Sequence, residues 1–574
     1  MGALRKIKKG LGHAPASPVA PQPEGRGGRL EVDQRELEAI LERAKTTPMS
    51  EAEYTKLHAA VETLAFLTQE LEKKRVSIQR LKQMLFGTTT ESTRKVLEKI
   101  LGDTGKDPPS GEDTAPESEP QTQEKAKGHG RHGAADYVGG QKVWVPHESL
   151  QPGDACPKCQ KGTVYEKDQP GHLVRIRGQA PLGATVYKLQ KLRCHLCGTT
   201  FTAQPPPGVG PEKDKYDAEA ASMIALLKYG TGLPFNRLEG LEGSLGIPLP
   251  AATQWGIVAH SSHQLEPALD ELTRQAAQGE IFHNDDTGAK ILALMGRHRD
   301  PLDDDLPDRP NRTGVFTSGL VSILGEYRIA LFVTGRRHAG ENLAALLRQR
   351  AAERGPPIQM CDALSRNVPD LSEELQTILA NCLTHGRRQF VDVAMNFPEE
   401  CLYVLLILKD VYTNDARTKE QAMSPAQRLA FHQEHSRPKM EELKIWLAAQ
   451  LEEKKVEPNS GLGKAILYMR KHWNELTLFL RQPAAPLDNN VCERALKKAI
   501  LHRKNAYFYK TENGAHVGDL FMSLIHTCEL DGVNPLDYLT QLLKHAAELA
   551  AHPADWMPWN YRDTLQKLAA PPSS

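Results

Sequence analysis

This sequence carries no excess charge of either sign: Lys and Arg together number 72, and so do Asp and Glu. A global field that would draw the chain onto a polyanion is thereby excluded, and any grip on nucleic acid has to come from local basic patches. Long apolar runs are missing as well. The strongest, CLYVLLIL at 401–408, falls far short of the roughly 20 residues that a bilayer-spanning helix requires. The opening MGALRKIKKG is basic, but Pro/Gly-rich sequence follows where a signal peptide would have its apolar core, and Lys6 stands where a myristoylation motif wants Ser or Thr. There is no internal repeat. Nor do the nine cysteines form a regular framework. Their number is odd, and Cys361, Cys382, Cys401, Cys492 and Cys528 are scattered, which argues against a secreted disulfide scaffold and for a reducing compartment. The expectation is a cytoplasmic protein without a membrane partner.

The other four cysteines form two CxxC pairs, Cys156/Cys159 in DACPKCQKG and Cys194/Cys197 in LRCHLCGTTF, with 34 residues between the pairs. A CxxC pair sets two thiolates on one tight knuckle, and two pairs complete a tetrahedral site. The spacing predicts a structural Zn2+ ion, because four thiolates leave no open position for catalysis. His195, between two ligands, reads as a loop residue.

Along the chain, residues 1–30 are rich in Pro, Gly and basic residues, as in disordered termini. Leu57, Leu64, Leu71, Ile78 and Leu85 then recur every seven residues, although the second seam (Val61, Thr68, Arg75, Lys82) is mixed. Either a short coiled coil or one amphipathic helix packed on its own domain satisfies this pattern. GKDPPSGEDTAPESEPQTQEKAKGHGRHGAA at 105–135 has linker composition. Alternating stretches between the cysteine pairs, HLVRIRGQ and ATVYKLQKLRC, suit strands. From 211 to 278 the pattern is helical, with short helices broken by Gly and Pro. At 281 it changes: IFHNDDTGAKILALM, TGVFTSGLVSILG and YRIALFVTG read as strands, ENLAALLRQRAAERG as a helix and PIQMCDAL as a fourth strand, which fits an α/β core. Residues 371–480 read as mostly helical. Ser424, Pro425 and Gln427 mark a capping box, and Met440, Leu443, Leu447 and Leu451 continue that helix as an apolar stripe.

Three acids are placed where carboxylates could carry chemistry: Asp285 inside the first strand, Asp362 just after the fourth, and Glu493 on a helix beginning at or near Leu487. A polar residue inside an apolar strand needs a reason, because unpaired burial is costly. Two metal ions held by such acids can activate a water or hydroxyl and stabilise the leaving oxygen of a phosphodiester. Spacing alone does not single these three out of 72 acidic residues. Basic groups follow each acid: Arg297 and Arg299; His385, Arg387 and Arg388; then Arg494, Lys497, Lys498, His502, Arg503 and Lys504. They could hold phosphates, or be charged helix faces.

Several blocks, in order, resemble the transposase of the bacterial insertion-sequence family numbered sixty-six, of DDE type: QRLKQMLFGTTTES, CPKCQKG with RCHLCGTTF, LLKYGTGLPFNRLEG, HNDDTGAKIL, QMCDAL, CLTHGRRQF, LDNNVCERALKKAILHRKNAYFY and SLIHTCELDGVNPLDYL. LDNN-x-x-ER is the most specific of them. The resemblance implies that Asp285, Asp362 and Glu493 are the catalytic acids, holding Mg2+. It implies DNA as partner, both element ends and target, together with a homo-oligomer, accessory proteins of the same element, and a bacterial, nucleoid-associated location. It implies an RNase H-like core, and the 131 residues from Asp362 to Glu493 then call for a helical insertion. The expected nucleic-acid contacts are His385, Arg387, Arg388, Arg494, Lys497, Lys498, Arg503 and Lys504. There are departures: Asn284 and Asp286 flank Asp285 in place of Ala and Glu, Gly288 replaces Pro, 296–311 is an unusual acidic loop, and the segment after Asp362 lacks Gly-Tyr.

The expected architecture is thus a multidomain α/β protein. A disordered N-terminus (1–30) precedes a helical, coiled-coil-like region (31–102), a linker (103–139), a zinc ribbon (140–208) and a helical DNA-binding segment (209–279). The RNase H-like core follows in two parts (280–400 and 481–545), separated by the helical insertion (401–480), and a tail (546–574) ends the chain. A non-catalytic DNA-binding protein derived from a transposase is the rival reading. A zinc-bearing scaffold leaves the LDNN motif unexplained. The fragment 140–210 is expected to bind about one zinc per chain; a metal-free fragment that folds cooperatively would overturn the zinc assignment.

Overall fold

The computed structural model describes residues 40–41, 43–44, 48–58, 61, 142–166, 180–193, 195, 197, 199–207, 209, 215–295, 312–372 and 375–569. The chain divides into two compact units, 1–89 with 457–463, and 90–456 with 464–574. In the first unit residues 51–58 are helical. Ser50 starts this helix: its N–H donates to Glu53 Oε2 at 3.0 Å, and its Oγ accepts the Glu53 N–H at 3.4 Å, the reciprocal pairing of a capping box. Of the expected heptad series only Leu57 lies within the described residues, as do none of 1–30 and none of the linker 103–139.

In the second unit, strands β1 (Lys191–Arg193) and β2 (Thr200–Thr202) pair antiparallel. Helices α1 (Ala218–Ala225), α2 (Phe235–Ser244) and α3 (Ala251–Ala276) follow. Asp217 caps α1 by accepting the Ala220 N–H at 2.8 Å. α3 runs unbroken through Pro267, longer than the short segments its Gly and Pro content suggested. Then come β3 (Ile281–Gly288), β4 (Phe316–Leu324), β5 (Tyr327–Gly335), α4 (Ala339–Leu347), β6 (Ile358–Cys361) and β7 (Ile378–Asn381). These strands form one sheet in the order β5-β4-β3-β6-β7. β3–β4 and β4–β5 pair antiparallel, and β3–β6 and β6–β7 parallel. The mixed five-stranded sheet with its many helices is compatible with an RNase H-like core.

Two of the sequence readings differ from the structure here. β7 lies in a stretch read as helical; four residues are too few to show a period. The expected first strand stops at Gly288, and Leu292–Leu294 forms a 3-10 turn.

Helices α5 (Leu383–Val393), α6 (Pro398–Glu420), α7 (Pro425–His435) and α8 (Arg437–Glu452) lead out from the sheet. The capping box at Ser424 and Gln427 is present, and Met440, Leu443 and Leu447 are buried. The single helix expected there is instead two, divided at Ser436. Pro438 cannot donate a backbone hydrogen bond and fits only a first turn, so α8 begins anew. α9 (Asn490–Ala506), α10 (Glu512–Leu530) and α11 (Pro535–Lys544) complete the main elements. Among the described residues no helix is long and apolar enough to cross a membrane.

The core gathers α3, β4, β5, α4, α9 and α10. α10 is buried almost all round, as expected of a helix enclosed by other elements. It also closes the open edge of β5. The outward N–H groups of Arg328, Ala330, Phe332 and Thr334 donate to Asp531, Thr527, Ser523 and Asp519 respectively, at 2.6–3.0 Å. Every second strand residue meets every fourth residue on the helical side. The spacings match, since two strand residues rise about 6.8 Å and four helical ones about 6 Å. An edge that could template aggregation is thus satisfied by side chains.

Burial pushes the Asp519 carboxyl up to about 7, against the downward pull of its hydrogen bonds from Thr334. The folded protein therefore holds this proton between about pH 4 and 7 while an unfolded aspartate has released it. The associated stability is fully present below about pH 4 and is lost as pH rises to about 7, by at most about 4 kcal/mol. Asp519→Asn is expected to flatten this decline in denaturant titrations at pH 4.5 and 7.5. An unchanged slope would show that Asp519 ionises normally.

Candidate active site

β3 is a central strand, yet it carries four consecutive polar residues, His283 to Asp286, of which three are buried and Asp285 is half-buried. Each has partners. His283 Nδ1 lies 3.1 Å from Asn489 Oδ1, and burial lowers this imidazole to about 4, so it is neutral. Asn284 donates to Asn367 O at 2.7 Å and accepts from Gln359 Nε2 at 2.9 Å. Asp286 binds His338 Nδ1 at 2.7 Å and Arg366 at 3.3 Å. Asp285 accepts from the Asp286 N–H at 2.8 Å and from Asn367 Nδ2 at 3.2 Å.

The sheet separates these residues by face. Asp285 stands opposite Gly319 on β4 and Asp286 opposite Ser318. A Cβ on Gly319 would sit 3.0 Å from Leu496 and 3.5 Å from Cys492, so Asp285 faces α9. Ser318 Oγ instead accepts from Asn342 of α4 at 2.8 Å, so Asp286 faces away from α9.

β6 runs parallel to β3 with Ile281 opposite Ile358 and His283 opposite Met360. Extending this register by two residues aligns Asp285 with Asp362. Asn367 joins them: its Nδ2 donates to Asp362 Oδ1 at 2.5 Å as well as to Asp285. Burial first, and the neighbouring Asp362 charge second, push the Asp285 carboxyl up to about 6. The loop holding Asn367 packs tightly on α4, where a Cβ on Gly340 would lie 2.5 Å from Val368 O; only glycine admits this approach.

Glu493 lies in the first turn of α9, which starts at Asn490 rather than at Leu487. Asp488 accepts the Asn490 N–H at 3.1 Å just ahead of the helix, and Asn489, the cap residue, turns its side chain to His283 and to Asn284 O. Glu493 Oε1 is 3.7 Å from His385 Nδ1. Both atoms are buried without a hydrogen-bond partner, and Cys382 Sγ completes a group whose ligand atoms lie within 4.8 Å of one another. Asp285, whose carboxyl burial and the neighbouring Asp362 charge push up, together with Asp362 and the orphaned Glu493 oxygen, fits oxygen ligation of divalent cations.

Of the expected phosphate-holding residues, Arg388, Arg494, Lys497 and Lys504 are exposed. Arg387 lies near the partly buried Tyr412. Lys498 is engaged internally, with Glu529 Oε1 at 2.7 Å and Gly230 O at 3.1 Å. Arg503 bonds Thr287 Oγ1 at 3.2 Å and also Gly288 O, bracing the end of β3. Arg297 and Arg299 lie outside the described residues. Asn367, Arg366 and His338 escaped the reading of the sequence, since nothing local marks them, and Cys382 was read only as part of the CLTHGRRQF block, without a role as a ligand.

The expected zinc ligands are only partly brought together. Cys156 and Cys159 share one tight turn, closed by the Cys156 N–H to Gly162 O at 2.7 Å and the Gln160 N–H to Cys156 O at 2.8 Å. The N–H groups of Lys161 and Gly162, with the Cys156 thiol, hold the Cys159 thiol below its usual range. Cys197 is exposed in the turn between β1 and β2, and its thiol donates to Thr199 Oγ1 at 3.2 Å. Cys194, its CxxC partner, lies outside the described residues. Among the described residues, Cys156, Cys159 and Cys197 do not form one group of ligand atoms.

The model of the family described as Transposase IS66 family matches residues 213–517, more than half of the chain, and the chain belongs to this family. It is also similar to three uncharacterized proteins of Sinorhizobium fredii (strain NBRC 101917 / NGR234). It is 24% identical to y4jD over 527 residues, covering 88% of this chain and 96% of that protein. It is 25% identical to y4hP over 395 residues, covering 65% and 67% respectively. It is 26% identical to y4qI over 357 residues, covering 59% and 62%.

Asn367→Ala removes the donor shared by Asp285 and Asp362. A loss of about 1–3 kcal/mol is expected in denaturant titration at pH 7. A loss below about 0.5 kcal/mol would show that the bridge does not hold the two acids.

Proposed function

We propose that this chain is a DNA transposase that binds the ends of its insertion sequence, hydrolyses a strand at each end and joins the freed 3′-hydroxyl to target DNA. The observation that carries the reading is the alignment of Asp285 with Asp362 across a parallel strand pair, under a helix that carries Glu493 on the same face. Family membership supports the reaction class. On this reading the sheet is the RNase H-like core, and 401–480 is its helical insertion.

Asp285, Asp362 and Glu493 would hold two Mg2+ ions. Such ions, when bound, activate the attacking oxygen and stabilise the leaving one. The protein's own contribution is placement. Asn367 fixes the two aspartates, β3 and β6 fix their spacing, and the surrounding burial excludes bulk water. Arg388, Arg494, Lys497 and Lys504, all exposed, are suited to the sugar–phosphate backbone, and each neutralised phosphate adds salt dependence to binding. Arg503 and Lys498 would act mainly by holding β3 and α9. The two CxxC knuckles, Cys156 with Cys159 and Cys194 with Cys197, would close into a zinc ribbon around the ion, and the heptad region would serve self-association or an accessory protein.

The test uses purified protein and labelled element ends. Asp285→Ala, Asp362→Ala and Glu493→Ala are each expected to abolish strand cleavage while end binding stays within roughly threefold, since binding rests on basic groups. Asp286, on the opposite face, is the control. If folded Asp286→Ala lost cleavage and Asp285→Ala kept it, the first acid would be misassigned. Unchanged transposition after Asp362→Ala would favour the non-catalytic DNA-binding reading.

A further inference from the structure

Glu493 does not share the aspartates' surroundings. Among the described residues, the side chains that group with it as candidate ligands are a thiol and an imidazole rather than the aspartates, and they arrive by construction. Cys382 immediately precedes α5, and His385 lies in the first turn, its N–H donating to Cys382 O at 3.1 Å. Both side chains therefore emerge at one helix start. The Leu383 N–H donates to Leu487 O at 2.9 Å, and the Asn489 N–H donates to Cys382 Sγ at 3.3 Å. These bonds bring the start of α5 against the start of α9, where Glu493 stands.

The geometry at this junction is incomplete as a hydrogen-bonded one. The 3.7 Å between His385 Nδ1 and Glu493 Oε1 is too long for a hydrogen bond. Leaving both atoms buried and unsatisfied is costly. A single cation relieves both, because two ligands each about 2.0–2.2 Å from one tetrahedral ion stand about 3–4 Å apart. Resting on the two-metal reading above, we propose that Cys382, His385 and Glu493 form a sulfur–nitrogen–oxygen cation position that takes a transition metal in preference to magnesium. Oxygen-only ligands such as Asp285 and Asp362 suit Mg2+, whereas imidazole and thiolate favour borderline metals such as cobalt or zinc. The two cation positions are then chemically unequal, and His385 acts as a ligand rather than as a phosphate contact.

Mn2+ is the probe, since it is the weakest competitor of its series for a four-thiolate zinc site. The full chain is titrated with Mn2+, and bound ions are counted and examined by pulsed electron paramagnetic resonance. The wild type is expected to bind two Mn2+, one with nitrogen modulation from a coordinated imidazole. His385→Asn should remove that modulation and weaken one ion by about 10-fold or more. Glu493→Gln should do the same, and Asp285→Asn should lose the other ion and keep the modulation. If His385→Asn does not fold, His385→Gln takes its place. Bound Mn2+ without nitrogen modulation in the wild type, or modulation that persists in the His385 variant, overturns this site and leaves the transposase reading standing. A wild type that binds no Mn2+ at all overturns the two-metal reading with it.

Discussion

The site depends on one register: β3 lies parallel to β6 with Ile281 opposite Ile358. That pairing carries Asp285, inside β3, level with Asp362, the residue just after β6. Because side chains alternate along a strand, a slip of one residue would turn Asp286 toward α9 and Asp285 toward α4. The register is therefore under two kinds of control. The apolar residues Ile281, Phe282, Ile358 and Met360 are all buried and resist displacement. Asn284 and Gln359, bonded to each other at 2.9 Å and both to Asn367 O, lock the polar end. Burial first, and repulsion from the neighbouring Asp362 second, raise the Asp285 carboxyl, so holding the two acids together carries an electrostatic cost.

The same strand explains why the surrounding polar network is so connected. Burying His283, Asn284 and Asp286 without partners would cost several kcal/mol in sum. Their partners come from distant segments: α9 through Asn489, the loop after β6 through Arg366 and Asn367, and the turn before α4 through His338. β3 is thereby tied to the segments that surround the acids. In a low-dielectric interior such a network is strong when complete and costly when broken.

How much of this was legible beforehand depended on whether a feature has a local signature. The acids' positions, the strand runs at 281–335 and the capping box at Ser424 are patterns in adjacent residues, and the structure has them. The knuckle at Cys156 and Cys159 is local too, whereas the meeting of that knuckle with Cys197 is a long-range event that spacing only suggests. β7 has four residues and no period to read. The break at Ser436 follows from Pro438, which fits only a first turn and so starts a new helix ahead of the stripe at Met440. Asn367 lies in a loop five residues beyond Asp362 and becomes meaningful only when β3 and β6 pair parallel, which no local pattern specifies. Lys498 looked like the other cations of α9, but on folding it meets Glu529. Cys382 and His385 were visible as a Cys-x-x-His block. Their closeness to Glu493, more than a hundred residues away, was not.

That last separation has a structural resolution. The chain leaves the sheet at Leu383 and returns at Leu487, and the departing and returning backbones are hydrogen-bonded to each other at 2.9 Å. Everything between them forms a closed loop, and the entropic cost of closing a loop grows only slowly with its length. The helices of this segment reinforce the return: Arg428 donates to Ala485 O at 2.7 Å while its guanidinium also binds Asp415, and Gln433 and Arg437 both donate to Leu480 O. The position of Glu493 is therefore set by the neck of the segment and not by its length. A long excursion between the second and third acids is compatible with a compact site because the two strands of that neck, rather than the helices beyond it, hold α9 against β3.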